Sequence, residues 1–316
     1  MWARILAGRV VRSNTASAAL PTKNGVGAST ISLPVGPWKR VIEFLAERFP
    51  HIAYDELVTR MARGDVLDHA GARMLPDHAY RAREKLYYYR DIPLEPRIPF
   101  DEVILFQDEH IVVVDKPHFL PVAPVGRYVQ ETVLVRLKRK LGIDSLAPMH
   151  RIDRETAGLV LFTVQSDTRG KYQSLFEQRL VKKTYEAIAP WRDDLQLPLT
   201  YRSHIVESDA FMQMREIEGK VGSEPNAETR IELLEINGEL ARYQLTPLTG
   251  KKHQLRVQMA AMGMPILHDQ IYPVHQKHAT DEYAKPLQLL AKNISFRDPI
   301  SGAARAFTSL RHLKFG

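Results

Sequence analysis

The sequence predicts an α+β fold built on a mixed, mainly antiparallel sheet. Short runs of strand-forming residues recur through residues 100–316, and few helical patterns lie between them. An Asn-Gly turn joins residues 226–236 to residues 240–248, and an Asp-Pro-Ile-Ser-Gly segment joins residues 294–296 to residues 306–307. Because both turns favour hairpins, neighbouring strands are expected to pair in antiparallel order.

Residues 1–37 are predicted to be a disordered basic tail. No acidic residue precedes Glu43, whereas six arginines and lysines do. Such a start is typical either of an organelle transit peptide or of a disordered segment that lies on RNA. The amphipathic pattern over residues 4–12 is short and weak, which favours the tail. We therefore expect a cytoplasmic protein, with an organellar location as the alternative.

Residues 38–91 are predicted to form a small α/β domain. Apolar residues at helical spacing indicate two helices, which begin near Trp38 and Tyr54. The remaining predicted elements are a hairpin of Val66-Leu67 with Met74-Leu75 and a closing strand at residues 86–89.

Three prolines in residues 92–99 predict an extended linker, and residues 100–316 then form the larger domain. Besides the two hairpins already described, this domain is predicted to contain strands at residues 103–106, 111–114, 159–164 and 182–188, and helices at residues 131–141, at residues 171–178 and from residue 249. The outward face of helix 131–141 is expected to carry Arg136 and three neighbouring cations. Such a face either follows a phosphate backbone or is simply solvated.

Composition narrows the classes of function. The chain has 316 residues, a formal net charge of +7, a pI near 9.4 and no cysteine. A polyanionic partner such as RNA is therefore plausible, and cysteine nucleophiles, disulfides and cysteine-ligated zinc are excluded. No apolar run approaches the roughly 20 residues that span a bilayer, so no membrane partner is expected.

Asp153 is the strongest catalytic candidate. It lies between Arg151 and Arg154, directly before a Thr-Ala-Gly turn and an apolar strand. Positive charge on both sides favours the ionised carboxylate, which is the form that acts as a nucleophile. The strand that follows is expected to hold this residue rigidly at the end of a loop.

Four segments in one order resemble the RluA family of RNA pseudouridine synthases. They are Asp-Glu-His-Ile-Val-Val-Val-Asp-Lys-Pro at 108–117, His-Arg-Ile-Asp-Arg-Glu-Thr-Ala-Gly at 150–158, Lys-Lys-Thr-Tyr-Glu-Ala at 182–187 and Leu-Thr-Gly-Lys-Lys-His-Gln-Leu-Arg-Val at 248–257. The resemblance implies a pseudouridine synthase catalytic domain over residues 100–316. It also implies that residues 38–91 are a diverged S4-like RNA-binding domain, in which Arg48, Arg60 and Arg63 lie on RNA phosphates.

The resemblance implies an enzyme that isomerises uridine in structured ribosomal or transfer RNA without a metal or a cofactor, and that is a monomer. Asp153 matches the family's catalytic aspartate, and attack on uracil, attack on ribose and proton abstraction all remain open for it. Arg151 matches the arginine that fills the space of the flipped base, or else pairs with phosphate or Asp153. Tyr185 matches the tyrosine that stacks on the base. Arg256 matches the arginine paired with the catalytic carboxylate, or else binds phosphate.

Departures from the family pattern are modest. Lys251-Lys252 replaces the usual Arg-Thr, and residues 268–273 differ from the usual Gly-Asp-Pro-Leu-Tyr.

Three other classes of protein agree less well with the sequence. No His-Glu-x-x-His spacing supports a metal-dependent hydrolase, and a uracil methyltransferase would need a cysteine. A non-catalytic RNA-binding protein is the main rival, but it predicts loss of Asp153 or Arg256, and both are present.

Overall fold

The computed structural model describes residues 22–89, 95–210, 213–217, 224–275 and 283–315. Most of the predicted tail (residues 1–21) and residues 92–94 of the predicted linker lie outside this described part. The chain divides into two compact units, Met1–Asp91 and Ile92–Gly316. Within the described ranges, no helix is long and apolar enough to cross a membrane.

The N-terminal unit combines two helices with a three-stranded antiparallel sheet. Its elements are β1 (Ser29–Ser32), α1 (Val41–Arg48), α2 (Tyr54–Arg63), β2 (Val66–Leu67) and β3 (Lys85–Tyr88). The strand order is β1-β3-β2, so the last strand lies in the centre. The apolar stripes of the two helices form the core with Leu86 of β3. Both helices were predicted from the spacing of their apolar residues, and this prediction is confirmed.

One prediction for this unit is wrong. Residues 29–32 were assigned to a disordered tail, yet they form β1 and pair with Lys85–Tyr88. This segment is Ser-Thr-Ile-Ser, in which a single apolar residue gives no pattern that predicts a strand without its partner. The hairpin of Val66-Leu67 with residues 74–75 was also predicted, and antiparallel pairing of β2 with this segment is present. Leu67 forms a bridge with Arg73, and the backbone N–H of Met74 donates to the backbone oxygen of Val66 at 2.9 Å. Strand β2 also pairs with β3. The Ala-Gly turn itself is present, with Gly71 at φ 82°.

The C-terminal unit is built on one large sheet. Its elements in chain order are β4 (Val103–Gln107), β5 (Ile111–Lys116), α3 (Val133–Leu141), β6 (Ala147–Pro148), β7 (Ala157–Thr163), α4 (Arg169–Glu177), β8 (Lys182–Pro190), β9 (Leu199–Glu207), β10 (Met214–Ile217), β11 (Ala227–Asn237), β12 (Leu240–Pro247), α5 (Gln254–Ala261), β13 (Leu289–Arg297) and β14 (Ala304–Thr308).

This sheet has 11 strands in the order β10-β9-β11-β12-β8-β13-β7-β5-β4, with β14 beside β13 and β6 beside β7. Within the described ranges, β13 with β7 is the parallel pair and the other pairs are antiparallel. The predicted mixed, mainly antiparallel sheet is thus confirmed. Sequence reasoning missed β9 and β10. Strand β9 carries Arg and His among its apolar residues, and β10 is a four-residue edge strand.

The predicted orientation of Arg136 on α3 is wrong. Its guanidinium is mostly buried and donates to the backbone oxygens of Ile98 (2.8 Å) and Phe100 (2.7 Å). It also contacts the carboxylates of Glu102 and Glu131. These four acceptors satisfy a charge that would otherwise be costly to bury. Arg136 therefore anchors the segment before β4, and only the later cations of this helix remain as candidates for phosphate contact.

Gly158 occupies a position on β7 where a side chain would not fit. Its φ is +108°, and a Cβ there would lie 2.3 Å from the carbonyl oxygen of Ala291 on β13. Both the backbone conformation and the close approach of the parallel strands therefore require glycine.

We predict that Gly158→Ala destabilises the protein by about 3 kcal/mol or more, since a strained backbone and a steric clash add together. Thermal unfolding measures the effect. Gly170→Ala is a matched control, because Gly170 lies in α4 with open space around its Cβ position. That change should stabilise the helix by up to about 1 kcal/mol. Equal unfolding temperatures for the two variants would contradict the account of Gly158.

Candidate active site

A loop between β6 and β7 (residues 149–156, the catalytic loop) carries Asp153. His150 anchors its start: the ring stacks on Phe176 at 4.8 Å between centroids, and Nε2 accepts a hydrogen bond from the backbone of Leu161. Burial, together with the nearby charge of Lys183, lowers the pKa of His150 to about 3. The ring is therefore neutral at pH 7, as its acceptor role at Nε2 requires.

Two side chains fix the far end of the catalytic loop. Lys116, fully buried at the end of β5, donates from Nζ to the backbone oxygens of Pro117 and Arg154, both at 2.9 Å. His118 donates from Nδ1 to the backbone oxygen of Glu155 at 2.7 Å. With these contacts, the backbone on the C-terminal side of Asp153 is bound to the sheet, and the carboxylate is held by a rigid support.

The carboxylate of Asp153 is bound by Arg256. Nη1 of this arginine donates to Oδ2 of Asp153 at 3.0 Å, and its side chain is 1% exposed. The carboxylate itself is 25% exposed, so a substrate can reach it. The structure thus brings together the two residues that the sequence paired. Because the arginine is buried on α5, it meets Asp153 in a water-poor environment where charge pairing is strong.

Asp269 orients Arg256 from the opposite side. Its Oδ2 accepts from Nε at 2.8 Å and its Oδ1 from Nη2 at 2.7 Å, a bidentate pair with a carboxylate that is also 1% exposed. The backbone N–H groups of Ile271 and Tyr272 donate to the same carboxylate. Only the Nη1 edge of the guanidinium is left for the catalytic loop, so Asp269 determines which edge faces Asp153.

Tyr185 lies on β8, and its phenol is close enough to sense the charge of Asp153. Burial raises the pKa of Tyr185 above its ordinary value, and the negative charge of Asp153 raises it further. The phenol therefore keeps its proton at neutral pH. The ring packs against the core cluster that includes Leu245 and Leu255. One side of the ring thus rests on the core, consistent with a surface on which a base can stack.

Arg151 is exposed, two residues before Asp153. Within the described ranges it makes no hydrogen bond and no ion pair, so it does not pair with Asp153. The structure therefore gathers Asp153, Arg256 and Tyr185 and leaves Arg151 at the solvent side of the catalytic loop.

Sequence reasoning missed four residues that complete the site: Lys116, His253, Asp269 and Tyr272. Each lies inside a segment whose resemblance to the family was already noted, or within the segment at residues 268–273. One chemical signal was available for Lys116 and Asp269. A lysine at the end of an apolar strand and an acidic residue close to a tyrosine are costly to bury, which indicates that each has a polar partner. Their partners lie on other elements, and no local spacing specifies which of them will be in contact, so the signal did not identify their roles.

The buried ammonium of Lys116 predicts a pH-dependent stability. Burial lowers its pKa to about 7, although Glu155 and Asp153 raise it. In the unfolded chain its pKa returns to about 10.4. Between these two values the unfolded state binds more protons, so this residue makes stability rise with pH from about 7 to about 10.

Lys116→Met should remove that contribution. The difference in unfolding free energy between wild type and variant should change by up to about 1.4 kcal/mol per pH unit over this window. Urea unfolding from pH 6 to pH 10 measures it, with Lys182→Met on the exposed start of β8 as control. Parallel stability curves for the wild type and Lys116→Met would show that the ammonium is not destabilised in the folded state.

The sequence of this chain is similar to those of RNA pseudouridine synthases. The sequence profile of the RNA pseudouridylate synthase family matches residues 110–261. The dual-specificity RNA pseudouridine synthase RluA of Haemophilus influenzae is 31% identical over 227 residues, which cover 69% of this chain and 94% of the relative. The tRNA pseudouridine(31) synthase of Saccharomyces cerevisiae is 28% identical over 189 residues, covering 54% of this chain and 46% of the relative.

A solved structure shows the same fold. Human RNA pseudouridylate synthase domain containing 1 superposes with a TM-score of 0.55 at 19% identity, over 69% of this chain and 86% of that one. The fold of the C-terminal unit is therefore that of pseudouridine synthases. The chain belongs to the RluA family of RNA pseudouridine synthases, enzymes that isomerise uridine in RNA to pseudouridine. The predicted fold class and the predicted enzymatic activity are both confirmed.

Proposed function

We propose that the carboxylate of Asp153 initiates the conversion of uridine to pseudouridine. One observation carries this role: the carboxylate is partly exposed while Arg256, anchored by Asp269, holds one of its oxygens at 3.0 Å. A carboxylate that is kept ionised and oriented is ready to attack the nucleoside or to abstract a proton from it.

The isomerisation needs no added electron or atom. The bond from N1 of uracil to C1′ of ribose breaks and its electron pair stays on N1. After the base rotates, C5 bonds to C1′, the proton on C5 leaves and N1 takes up a proton. Reactant and product have the same composition, so the reaction needs no redox or group-transfer cofactor. The protein's task is to hold the detached base and to move protons.

Arg151 and Tyr185 are proposed to handle the flipped base. A uridine in structured RNA must leave its stack, at a cost of a few kcal/mol. The exposed guanidinium of Arg151 beside the catalytic loop is suited to fill the vacated space. The protonated phenol of Tyr185, supported from behind by the core, is suited to stack on the base and to relay a proton.

The proposed substrate is a structured ribosomal or transfer RNA. The net charge of +7 supports a polyanionic substrate, and so do the exposed Lys251 and Lys252, directly before α5. The name of the yeast relative specifies tRNA as the substrate of that protein. We further propose that the enzyme acts as a monomer in the cytoplasm.

The N-terminal unit is proposed to be an S4-like RNA-binding domain, joined through a linker at residues 92–99 to the catalytic domain at residues 100–316. Two helices followed by short antiparallel strands support this proposal. Of the three predicted contact arginines, Arg60 forms an ion pair with Glu56 and Arg63 with Asp65. RNA phosphates would have to compete with these carboxylates, which makes the exposed Arg48 the strongest candidate contact.

The test is direct conversion of uridine. Purified protein is incubated with total RNA from cells that lack it, and new pseudouridines are mapped by carbodiimide-dependent primer extension. We expect new stops at a small number of positions in ribosomal or transfer RNA. Binding of these RNAs without new stops would favour the rival function, a non-catalytic RNA-binding protein.

A further inference from the structure

A second buried side chain faces the catalytic carboxylate. His253 precedes α5 and is 9% exposed, and its Nε2 lies 3.8 Å from Oδ1 of Asp153. The other oxygen, Oδ2, is bound by Arg256. Each oxygen of the carboxylate therefore has its own nitrogen opposite it, and the histidine faces the oxygen that the arginine leaves unbound.

The tautomer of His253 follows from its contact with Tyr272. Nδ1 and the tyrosine hydroxyl oxygen are 2.9 Å apart, and the backbone N–H of Met214 donates to the same oxygen at 2.8 Å. In the described part of the chain, Nδ1 is the acceptor within reach of the tyrosine O–H. A buried hydroxyl normally donates its hydrogen, so Nδ1 accepts it. The neutral ring then carries its own hydrogen on Nε2, directed at Asp153.

Burial keeps this ring neutral. Burial lowers the pKa of His253, and Arg256 and Lys252 lower it further, against Asp153 and Glu155, which raise it. Burial also raises the pKa of Tyr272, so the phenol keeps the hydrogen that it donates. The unit made by Tyr272 and His253 is therefore a neutral donor chain that ends at the carboxylate.

The backbone at His253 is unusual as well. Its φ of 55° lies in the left-handed region, which costs a residue with a Cβ about 1 kcal/mol or more. The position nevertheless carries an imidazole held between Tyr272 and Asp153. Residues whose strained backbone is held in place by surrounding contacts often lie at functional sites.

We propose that His253 is a positioning residue for Asp153, and that Tyr272 holds it in the required tautomer. At 3.8 Å the contact is longer than a hydrogen bond, and such contacts shorten in the substrate complex. With Arg256 on Oδ2 and His253 on Oδ1, the carboxylate cannot rotate when the nucleotide enters. This inference rests on the proposed role of Asp153 as the reacting group.

Two substitutions at residue 253 separate this role from a structural one. Asn places its side-chain oxygen near the position of Nδ1, so His253→Asn keeps the acceptor for Tyr272 but lacks a donor toward Asp153. Gln reaches the position of Nε2, so His253→Gln keeps the donor. A purely structural role would favour Asn, which also tolerates the left-handed backbone.

The single-turnover rate of pseudouridine formation, with protein in excess over RNA, should fall about ten- to a hundredfold in His253→Asn, the factor carried by one hydrogen bond to a charged group. His253→Gln should retain most of the wild-type rate. RNA affinity, measured by filter binding, should be unchanged in both. A wild-type rate for His253→Asn, or a Gln variant as slow as the Asn variant, overturns the proposal.

Tyr272→Phe provides a further measurement that does not depend on the Asn variant. It should slow the reaction in the wild-type background, because the ring is then no longer held in one tautomer, and should have little effect in the His253→Gln background, because an amide has no tautomer. Equal effects in both backgrounds overturn the proposal. If the wild-type protein forms no pseudouridine at all, the proposed function fails instead, so the two failures are distinguishable.

Discussion

Asp153→Asn should abolish pseudouridine formation while leaving the fold and RNA binding intact. Asn has the shape of Asp and still accepts a hydrogen bond from Nη1 of Arg256, which lies 3.0 Å from Oδ2. It lacks the negative charge that attack or proton abstraction requires. We expect a loss of at least about a thousandfold, as for other enzymes that lose a nucleophilic side chain.

The measurement is single-turnover conversion of uridine, with filter binding of the same RNA in parallel. Asp209→Asn is the matched control, because it makes the same chemical change at an exposed aspartate on the loop after β9. It should convert RNA at the wild-type rate. Conversion by Asp153→Asn at the rate of this control would remove the catalytic assignment.

Arg256→Met should cause the second large effect, on both stability and activity. The side chains of Arg256 and Asp269 are each 1% exposed and form a bidentate pair. Removing one partner leaves a buried charge without its counter-ion, which costs about 3–5 kcal/mol. Asp153 loses its only hydrogen-bond donor among the described side chains, so activity should fall as well.

The double variant Arg256→Met/Asp269→Asn separates these two effects. The asparagine oxygen can still accept from the backbone N–H groups of Ile271 and Tyr272, and residue 269 no longer carries a buried charge without its counter-ion. Thermal unfolding should therefore show that most of the lost stability returns. Activity should stay low, because nothing holds Oδ2 of Asp153. Recovery of activity together with stability would show that Arg256 acts only through the fold.

The sequence was sufficient for the parts of the site that lie in short motifs. Asp153 was identified from its neighbours and its position before a strand, and the pairing of Arg256 with it was implied by the order of the motifs. The contact between these two residues spans 103 residues of chain, so the resemblance to a family supplied what spacing could not. Much of the large sheet was predictable because many of its strands are short runs of strand-forming residues and two of its turns carry Asn-Gly or Asp-Pro.

The remaining parts depend on tertiary contacts that no local pattern encodes. Asp269 has a role in the site because it binds the guanidinium of Arg256, and Lys116 has one because it donates to backbone oxygens of the catalytic loop and its surroundings. Arg136 looked like a solvent-facing cation, although two glutamates and two carbonyl groups lie around it. The four residues of β1 are recognisable as a strand only from their pairing with β3. In each case the contact follows from how the elements pack, and local spacing does not specify it.

Release of tritium from RNA that contains [5-³H]uridine tests the central claim most directly, because C5 must lose its hydrogen when it bonds to C1′. RNA from cells that lack this protein is incubated with wild-type protein and with Asp153→Asn. The wild type should release one tritium for each pseudouridine formed, and Asp153→Asn should release none while it binds the same RNA. Equal release by both proteins would contradict the assignment of Asp153 as the residue that starts the reaction.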